Sequence, residues 1–255
     1  MSANCNTRFI KISTAIIIIL FAKCLFAFHP LITDDAPTIG KGVIQFEASG
    51  DYGRDRVDSR VEQSCRLAAV PAYGLLANLD FFLGIDYTFL WQGHEETGRG
   101  ISDIFFESKW NFFNWGPLHF TLKPGITFPT GDYTKGFGAG ECGYYILLLT
   151  TISMERVHFH MNFGYTRNEN KIDEFEDIWH VSAAVEIHVA REFRFVADTG
   201  AERNPDPSDD TVPCFLLVGF LWSPSNDIDF DIAYKYGITD PETDHTVIIG
   251  VTARF

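Results

Sequence analysis

The chain is short of several things, and each shortage removes a class of protein. Basic residues are scarce: 20 Lys and Arg stand against 34 Asp and Glu, a formal charge of −14 over 255 residues. Binding to nucleic acid releases counterions by placing cations against phosphates, so this balance argues against nucleic acid as a partner. Cysteine is sparse, and the three beyond the N-terminal apolar stretch (Cys65, Cys142, Cys214) are widely spaced. An odd, scattered set offers neither a disulfide framework nor metal-ligand spacing, so these read as small wall residues. Long apolar runs are missing too. The longest is Ala15-Ile16-Ile17-Ile18-Ile19-Leu20-Phe21 with its flanks, well short of the roughly 20 residues that carry a helix across a bilayer. No HExxH helix, cysteine pair, 2-His-1-carboxylate spacing or serine-nucleophile motif is present. Gly138-Ala139-Gly140 has no helical pattern after it and so makes no phosphate loop. Catalytic residues, metal ligands and cofactors are therefore expected to be none.

What is abundant is aromatic residues and glycine: 24 Phe, 9 Tyr, 5 Trp and 21 Gly, against 3 Met. That profile suits twisted strands rather than a helical bundle. Mean hydropathy is +0.00, as expected where apolar and polar residues alternate and cancel.

Residues 1–27 stand apart. Arg8 and Lys11 precede the apolar run 12–22, and Lys23-Cys24-Leu25-Phe26-Ala27 follows. A short apolar core behind positive charge reads as a secretory signal, with cleavage placed after Ala27. A lipoprotein reading through Cys24 meets Lys23 where a small residue is required. Removing residues 1–27 takes the formal charge to −17.

From residue 43 onward, segments of about ten residues alternate apolar and polar. They cover 43–52, 61–73, 79–91, 101–112, 118–128, 138–151, 157–167, 176–189, 194–201, 212–222, 228–238 and 245–255. In 118–128, Leu118, Phe120, Leu122, Ile126 and Phe128 alternate with His119, Thr121, Lys123, Gly125 and Thr127. Period-2 alternation places each set on one face of a strand. The faces of 138–151 are ambiguous, because both are apolar.

The joints at 75–78, 114–117, 153–156, 190–193 and 223–227 are tight. Between them lie longer polar joints at 53–60, 92–100, 129–137, 168–175, 203–211 and 239–244. Five short joints alternating with six long ones predict an up-and-down barrel with both termini on the periplasmic side. Twelve strands close a sheet without a free edge, which lipid requires. Aromatics near strand ends (Tyr52, Tyr73, Trp91, Phe112, Trp115, Phe128, Tyr133, Tyr165, Trp179, Trp222, Tyr236, Phe255) suit interfacial girdles. The competing reading of the same alternation is the core of a soluble β-sandwich.

The inward face would carry Glu47, Asp86, Asp103, Glu107, Glu186, Asp198, Asp229 and Asp231 against Arg66, Lys109, Lys123, Arg194, Lys235 and Arg254. In an open channel these rows would make a transverse field. In a filled barrel they would pair across the lumen. Twelve strands fall between packed eight-stranded and open sixteen-stranded barrels. The stretch 28–42 is a candidate plug at the periplasmic mouth.

His158 and His160 share a face, as do His180, Glu186 and His188. Such pairs would bind a transition metal only if neighbouring strands aligned them; otherwise they are wetted lumen residues. Ser182 with His180, or Ser64, could serve a hydrolase, but none sits in a nucleophile motif. The acidic joints 168–177 and 202–210 could hold cations that bridge lipopolysaccharide, or simply be solvated.

His29-Pro30-Leu31-Ile32-Thr33-Asp34-Asp35, Gly40-Lys41-Gly42 and Gln45-Phe46-Glu47 resemble the opening of the outer-membrane family named for the MetA pathway of phenol degradation. Gly100-Ile101-Ser102-Asp103-Ile104 with Lys109-Trp110 resembles its central segment. Lys123-Pro124-Gly125 and Phe128-Pro129-Thr130-Gly131-Asp132 resemble its next strand and loop. The resemblance implies a transporter barrel that passes hydrophobic or aromatic compounds. The C-terminal Phe255 resembles the signal read by barrel-assembly machinery.

Three expectations follow: passive transport of small solutes by an outer-membrane barrel, a non-conducting structural or surface-interaction barrel, or a barrel lipid hydrolase. The implied partners are outer-membrane lipids, lipopolysaccharide, the assembly machinery and an unidentified solute.

Overall fold

The computed structural model describes residues 29–57 and 60–255; the expected signal over residues 1–27 lies outside them. Every major element is a strand: β1 (Ile44–Val57), β2 (Arg60–Leu76), β3 (Leu79–Gln92), β4 (Glu95–Ile101), β5 (Ile104–Trp115), β6 (Leu118–Phe128), β7 (Gly143–Ser153), β8 (Val157–Arg167), β9 (Asp177–His188), β10 (Phe193–Glu202), β11 (Cys214–Trp222), β12 (Ile228–Gly237) and β13 (His245–Arg254). Each pairs antiparallel with its neighbours, β13 returns to β1, and β1–β2 and β2–β3 pairing completes the ring. Phe255 and Ile44 exchange two backbone hydrogen bonds of 2.9 and 3.1 Å at that seam.

Thirteen segments make twelve wall strands, because β4 and β5 are two halves of one. The far end of β3 pairs with β4 and its near end with β5. The break falls at Ser102-Asp103. There the Asp103 carboxylate accepts the backbone N–H groups of Gly131 and Ala139, both at 2.9 Å.

The molecule is polar inside and apolar outside. Along β12, Ile228, Phe230, Ile232, Tyr234 and Tyr236 are exposed while Asp229, Asp231, Ala233 and Lys235 are buried. The same alternation runs through β1, β6 and β9. A soluble sandwich would bury the apolar set, so this inversion excludes that reading. The ambiguous segment, β7, is apolar on both faces: Tyr144 and Ile146 point out, and Tyr145, Leu147 and Leu149 point in.

Two of the six expected long joints are instead paired strand. β1 and β2 stay in register as far as Val57 opposite Arg60, and β3 and β4 pair up to Gln92 opposite Glu95. These stretches read as loops because both faces are polar. A hairpin that projects beyond the bilayer is wet on both sides, so alternation has nothing to enforce it. The four remaining long joints, 129–142, 168–176, 203–213 and 238–244, gather at the end opposite the termini.

Those joints are stitched together. The Lys171 N–H donates to Ala139 O (2.8 Å), Phe175 N–H to Pro205 O (2.8 Å), and the Thr239 hydroxyl to Val212 O (2.8 Å). Phe137, 2% exposed, packs against Gly98 and Gly100 of β4 and so turns the first long joint inward.

Candidate functional site inside the barrel

The barrel encloses a stretch of its own chain. Residues 29–43 run across the lumen and bond to inward-facing side chains from one wall to the other. His29 Nδ1 lies 2.7 Å from Asp231 on β12. Asp198 on β10 accepts the N–H groups of Ile32 (2.7 Å) and Thr33 (2.8 Å) and the Thr33 hydroxyl (2.6 Å). The Ala36 N–H donates to the Thr151 hydroxyl on β7 at 2.8 Å. The Ile39 N–H reaches Asp80 on β3 at 2.9 Å. An irregular segment shut in a barrel has no ladder for its backbone, so wall side chains must supply the partners. The exit lies over Gly74, where Gly42 N–H donates to Gly74 O at 2.7 Å. A Cβ at Gly74 would lie 1.8 Å from Gly40 O, so only glycine admits the crossing.

At mid-segment, Asp34 sits between two ammonium groups. Lys109 Nζ is 3.1 Å from Asp34 and 2.5 Å from Asp35; Lys123 Nζ is 2.8 Å from Asp34 and 2.6 Å from Glu107. Tyr145 donates to Glu107 at 2.7 Å. Asn162, its amide turned to satisfy both contacts, accepts from Asp34 N (2.6 Å) and donates to Asp34 O (2.9 Å). Burial alone would push the Asp34 carboxyl up, but the two ammonium groups outweigh it and hold the carboxyl down at about 2.

Most of the expected inward residues are inward, and they pair with near neighbours rather than forming opposed rows. Arg66 bonds Asp51 and lies 3.7 Å from Asp86. Lys235 pairs with Glu242 at 2.5 Å. Asp229 joins Arg194 (3.0 Å), Arg254 (2.8 Å) and Ser223. Glu47 is buried within electrostatic reach of His29 and Asp231. Asp103 departs from the set: it anchors the 129–142 joint at the wall break rather than lining the lumen freely.

The histidines divide. His160 Nδ1 contacts the Thr151 hydroxyl at 2.9 Å, beside the point where Ala36 is held. The β8–β9 register sets His158 directly opposite Glu186, with His188 two residues further along the same face. His180 Nε2 lies 3.1 Å from Ser182 Oγ, and its Nδ1 lies 3.5 Å from Glu202. That is a Ser–His–Glu sequence of contacts. Hydrolysis also needs N–H donors aimed at the developing oxyanion, and the surrounding backbone is committed to the β8–β9 and β9–β10 ladders. Ser64 lies elsewhere, on β2 opposite Gly53 of β1.

Several site residues escaped the sequence reading. Asp80 falls in the alternating segment 79–91, but alternation does not single it out as the partner of Ile39. Asp34 and Asp35 stood in the candidate plug without assigned partners. Leu147 and Leu149 on β7, and Val196, Leu217 and Leu221 on β10 and β11, all at most 1% exposed, form two apolar patches of the interior. Ala36 packs in the first patch and Leu31 in the second. Only the closed ring distinguishes such inward leucines from lipid-facing ones.

Residues 30–255 match the family model described as the MetA-pathway of phenol degradation. The chain belongs to that family. A search of curated proteins finds no match. Among solved structures, the barrel is similar to the NanC porin, with 12% identity, a TM-score of 0.57, and 82% of this chain and 98% of that one covered. It is also similar to the KdgM porin in complex with disordered oligogalacturonate, with 7% identity, a TM-score of 0.54, and coverage of 84% and 99%.

Family and fold place this phenol-degradation-family barrel in the bacterial outer membrane. Its exposed band of Phe, Tyr, Trp, Leu and Ile is then the surface that meets lipid.

Proposed function

We propose that this barrel passes small hydrophobic or aromatic solutes across the outer membrane, and that residues 29–43 plug the passage when no solute moves. The carrying observation is that the lumen is occupied by a tethered segment. Its apolar members Leu31 and Ala36 each cover one of the two leucine-containing patches, while its polar groups meet charged wall residues. All these contacts are noncovalent. Withdrawing the segment would open two apolar patches with a hydrogen-bonding wall between them, the combination that suits a molecule with a ring and one polar group.

The chemistry disfavours acidic saccharides. The described inner wall carries both signs already paired, and the chain from residue 28 has a formal charge of −17. Withdrawal would part Lys109 from Asp34 and Asp35 while Lys123 keeps Glu107, so an acidic solute would meet a single uncovered cation rather than a cationic row. The expected periplasmic termini, outward long joints, contact with lipopolysaccharide and assembly through the C-terminal Phe255 belong to the same proposal. Phe255 is 79% exposed on the lipid side of the seam, where an assembly factor could reach it.

A second reading, a non-conducting structural or surface barrel, draws on the filled lumen and the interlocked outer joints. Planar-bilayer recording separates the two. Mature protein should give sparse opening steps, and deletion of residues 29–40 should give frequent, larger ones with faster entry of phenolic solutes into liposomes. A correctly folded deletion variant that stays silent would favour the structural reading.

A further inference from the structure

We propose that His158, Glu186 and His188 form a binding site for one divalent transition ion of the zinc class, on the inner wall at the short-turn mouth. The observation is the juxtaposition made by the β8–β9 register. His158 pairs directly with Glu186, and His188 follows two residues later on the same face. The His158 and His188 ring centroids are 5.2 Å apart, and His188 Nε2 lies 3.0 Å from Glu186 Oε1. One donor atom from each of the three residues falls within 4.8 Å of the others.

Zinc holds imidazole nitrogen and carboxylate oxygen at about 2.0–2.2 Å, which sets tetrahedral donors about 3.4 Å apart. Small side-chain rotations close that difference without moving the strands. Two imidazoles and one carboxylate suit a borderline ion and leave a fourth position for water or a solute donor. The ion would replace the His188–Glu186 hydrogen bond.

The surroundings support the donors. Arg194 Nη1 lies 3.2 Å from Glu186 Oε2 and fixes the carboxylate while leaving Oε1 directed at the histidines. The Arg194 charge is shared with Asp229, whose other oxygen holds Arg254. His160 stacks on His158 with ring centroids 6.5 Å apart, which orients the imidazole. Asp35 lies within electrostatic reach of His158 and adds negative charge. The His188 side chain is 38% exposed, so an ion has a route in from the short-turn end. The site stands whether or not the barrel conducts.

The test is titration of the tag-free mature barrel, refolded in detergent, with Zn²⁺ against a chromophoric chelator, and with Co²⁺ as a spectroscopic probe. Wild type should take up one equivalent, and Co²⁺ should develop the intense visible bands of a low-coordinate imidazole site. His158→Ala, His188→Ala and Glu186→Gln should each weaken binding by more than about tenfold. His119→Ala and His245→Ala, at exposed positions hydrogen-bonded to Asn114 and Tyr234, should leave it unchanged. Heat-modifiable migration confirms that each variant is folded. Absence of stoichiometric uptake by wild type, equal affinity in the folded His158→Ala and His188→Ala variants, or a weak octahedral aquo-type Co²⁺ spectrum would each overturn the proposal. The wild-type spectrum decides the matter even where a variant does not fold.

Discussion

Asp34 and Lys123 lie 2.8 Å apart although they come from opposite kinds of structure, one from an irregular segment and the other from the barrel wall. With Lys109 on the other carboxylate oxygen, this pair joins residues 29–43 to β5 and β6. Removing one partner of a buried pair leaves an uncompensated charge and costs about 3–5 kcal/mol. Asp34→Ala should therefore release the segment. Hydrogen exchange at residues 31–37 should accelerate by about two orders of magnitude, while exchange in β11 and β12 stays slow. Unchanged exchange across residues 31–37 would show that the other tethers suffice without Asp34.

Acid should spare this tether until the solution is strongly acidic. The Asp34 carboxyl is held below its ordinary value, at about 2. A depressed carboxyl contributes stability that is fully present above its ordinary pKa of about 3.9 and is lost as pH falls through the depressed value. The side-chain carboxyl carbon resonance of Asp34 should thus be flat from pH 7 to about pH 4. It should move only between about pH 4 and pH 2. Movement beginning near pH 6 would show that the two ammonium groups do not outweigh burial at this carboxyl.

Ile249 is exposed on β13 in the outward series with Val247. Lysine there should cost about 2–4 kcal/mol if the position lies near the bilayer midplane. Unfolding by denaturant in phospholipid vesicles measures the loss. A change within about 0.5 kcal/mol would place Ile249 at the interface instead.

Gly125 faces Tyr145 across the β6–β7 register, and a Cβ there would lie 2.1 Å from the tyrosine ring. Gly125→Ala must displace the ring and break the Tyr145–Glu107 hydrogen bond. The expected loss is about 1–3 kcal/mol, as for other overpacked interiors. Tyr145→Phe, which removes only the hydroxyl, should cost less. Equal losses would show that the hydrogen bond rather than ring position carries the effect.

Asp103 should act on the outer joint and leave the lumen alone. Asp103→Ala leaves two part-buried backbone N–H groups without that acceptor, so proteolysis within residues 129–142 should accelerate about tenfold or more. Exchange at residues 31–37 should not change.

The sequence by itself determined the wall. Period-2 alternation with an apolar face on each strand requires a closed sheet if the apolar face meets lipid, and β6 and β8 fall on the residues that alternation marks. Strand ends were legible only where a tight turn or a switch to lipid contact marked them. The hairpins at 53–60 and 92–100 were read as loops because their polar faces are both wet. Inward charge was legible too, as in Lys123 and Glu107, because a charge on a membrane strand has nowhere else to go.

Only the tertiary structure decided what those charges meet. Pairing between Asp34 and Lys123, between Asp198 and Thr33, and between Asp231 and His29 spans 89, 165 and 202 residues. No local pattern encodes such contacts, because they depend on where an irregular segment crosses a closed ring. The His158–Glu186–His188 grouping depends likewise on one cross-strand register. A shift of a single residue would turn each of these side chains to the opposite face. Alternation placed histidine and glutamate on the inner wall, and the cross-strand register set them side by side.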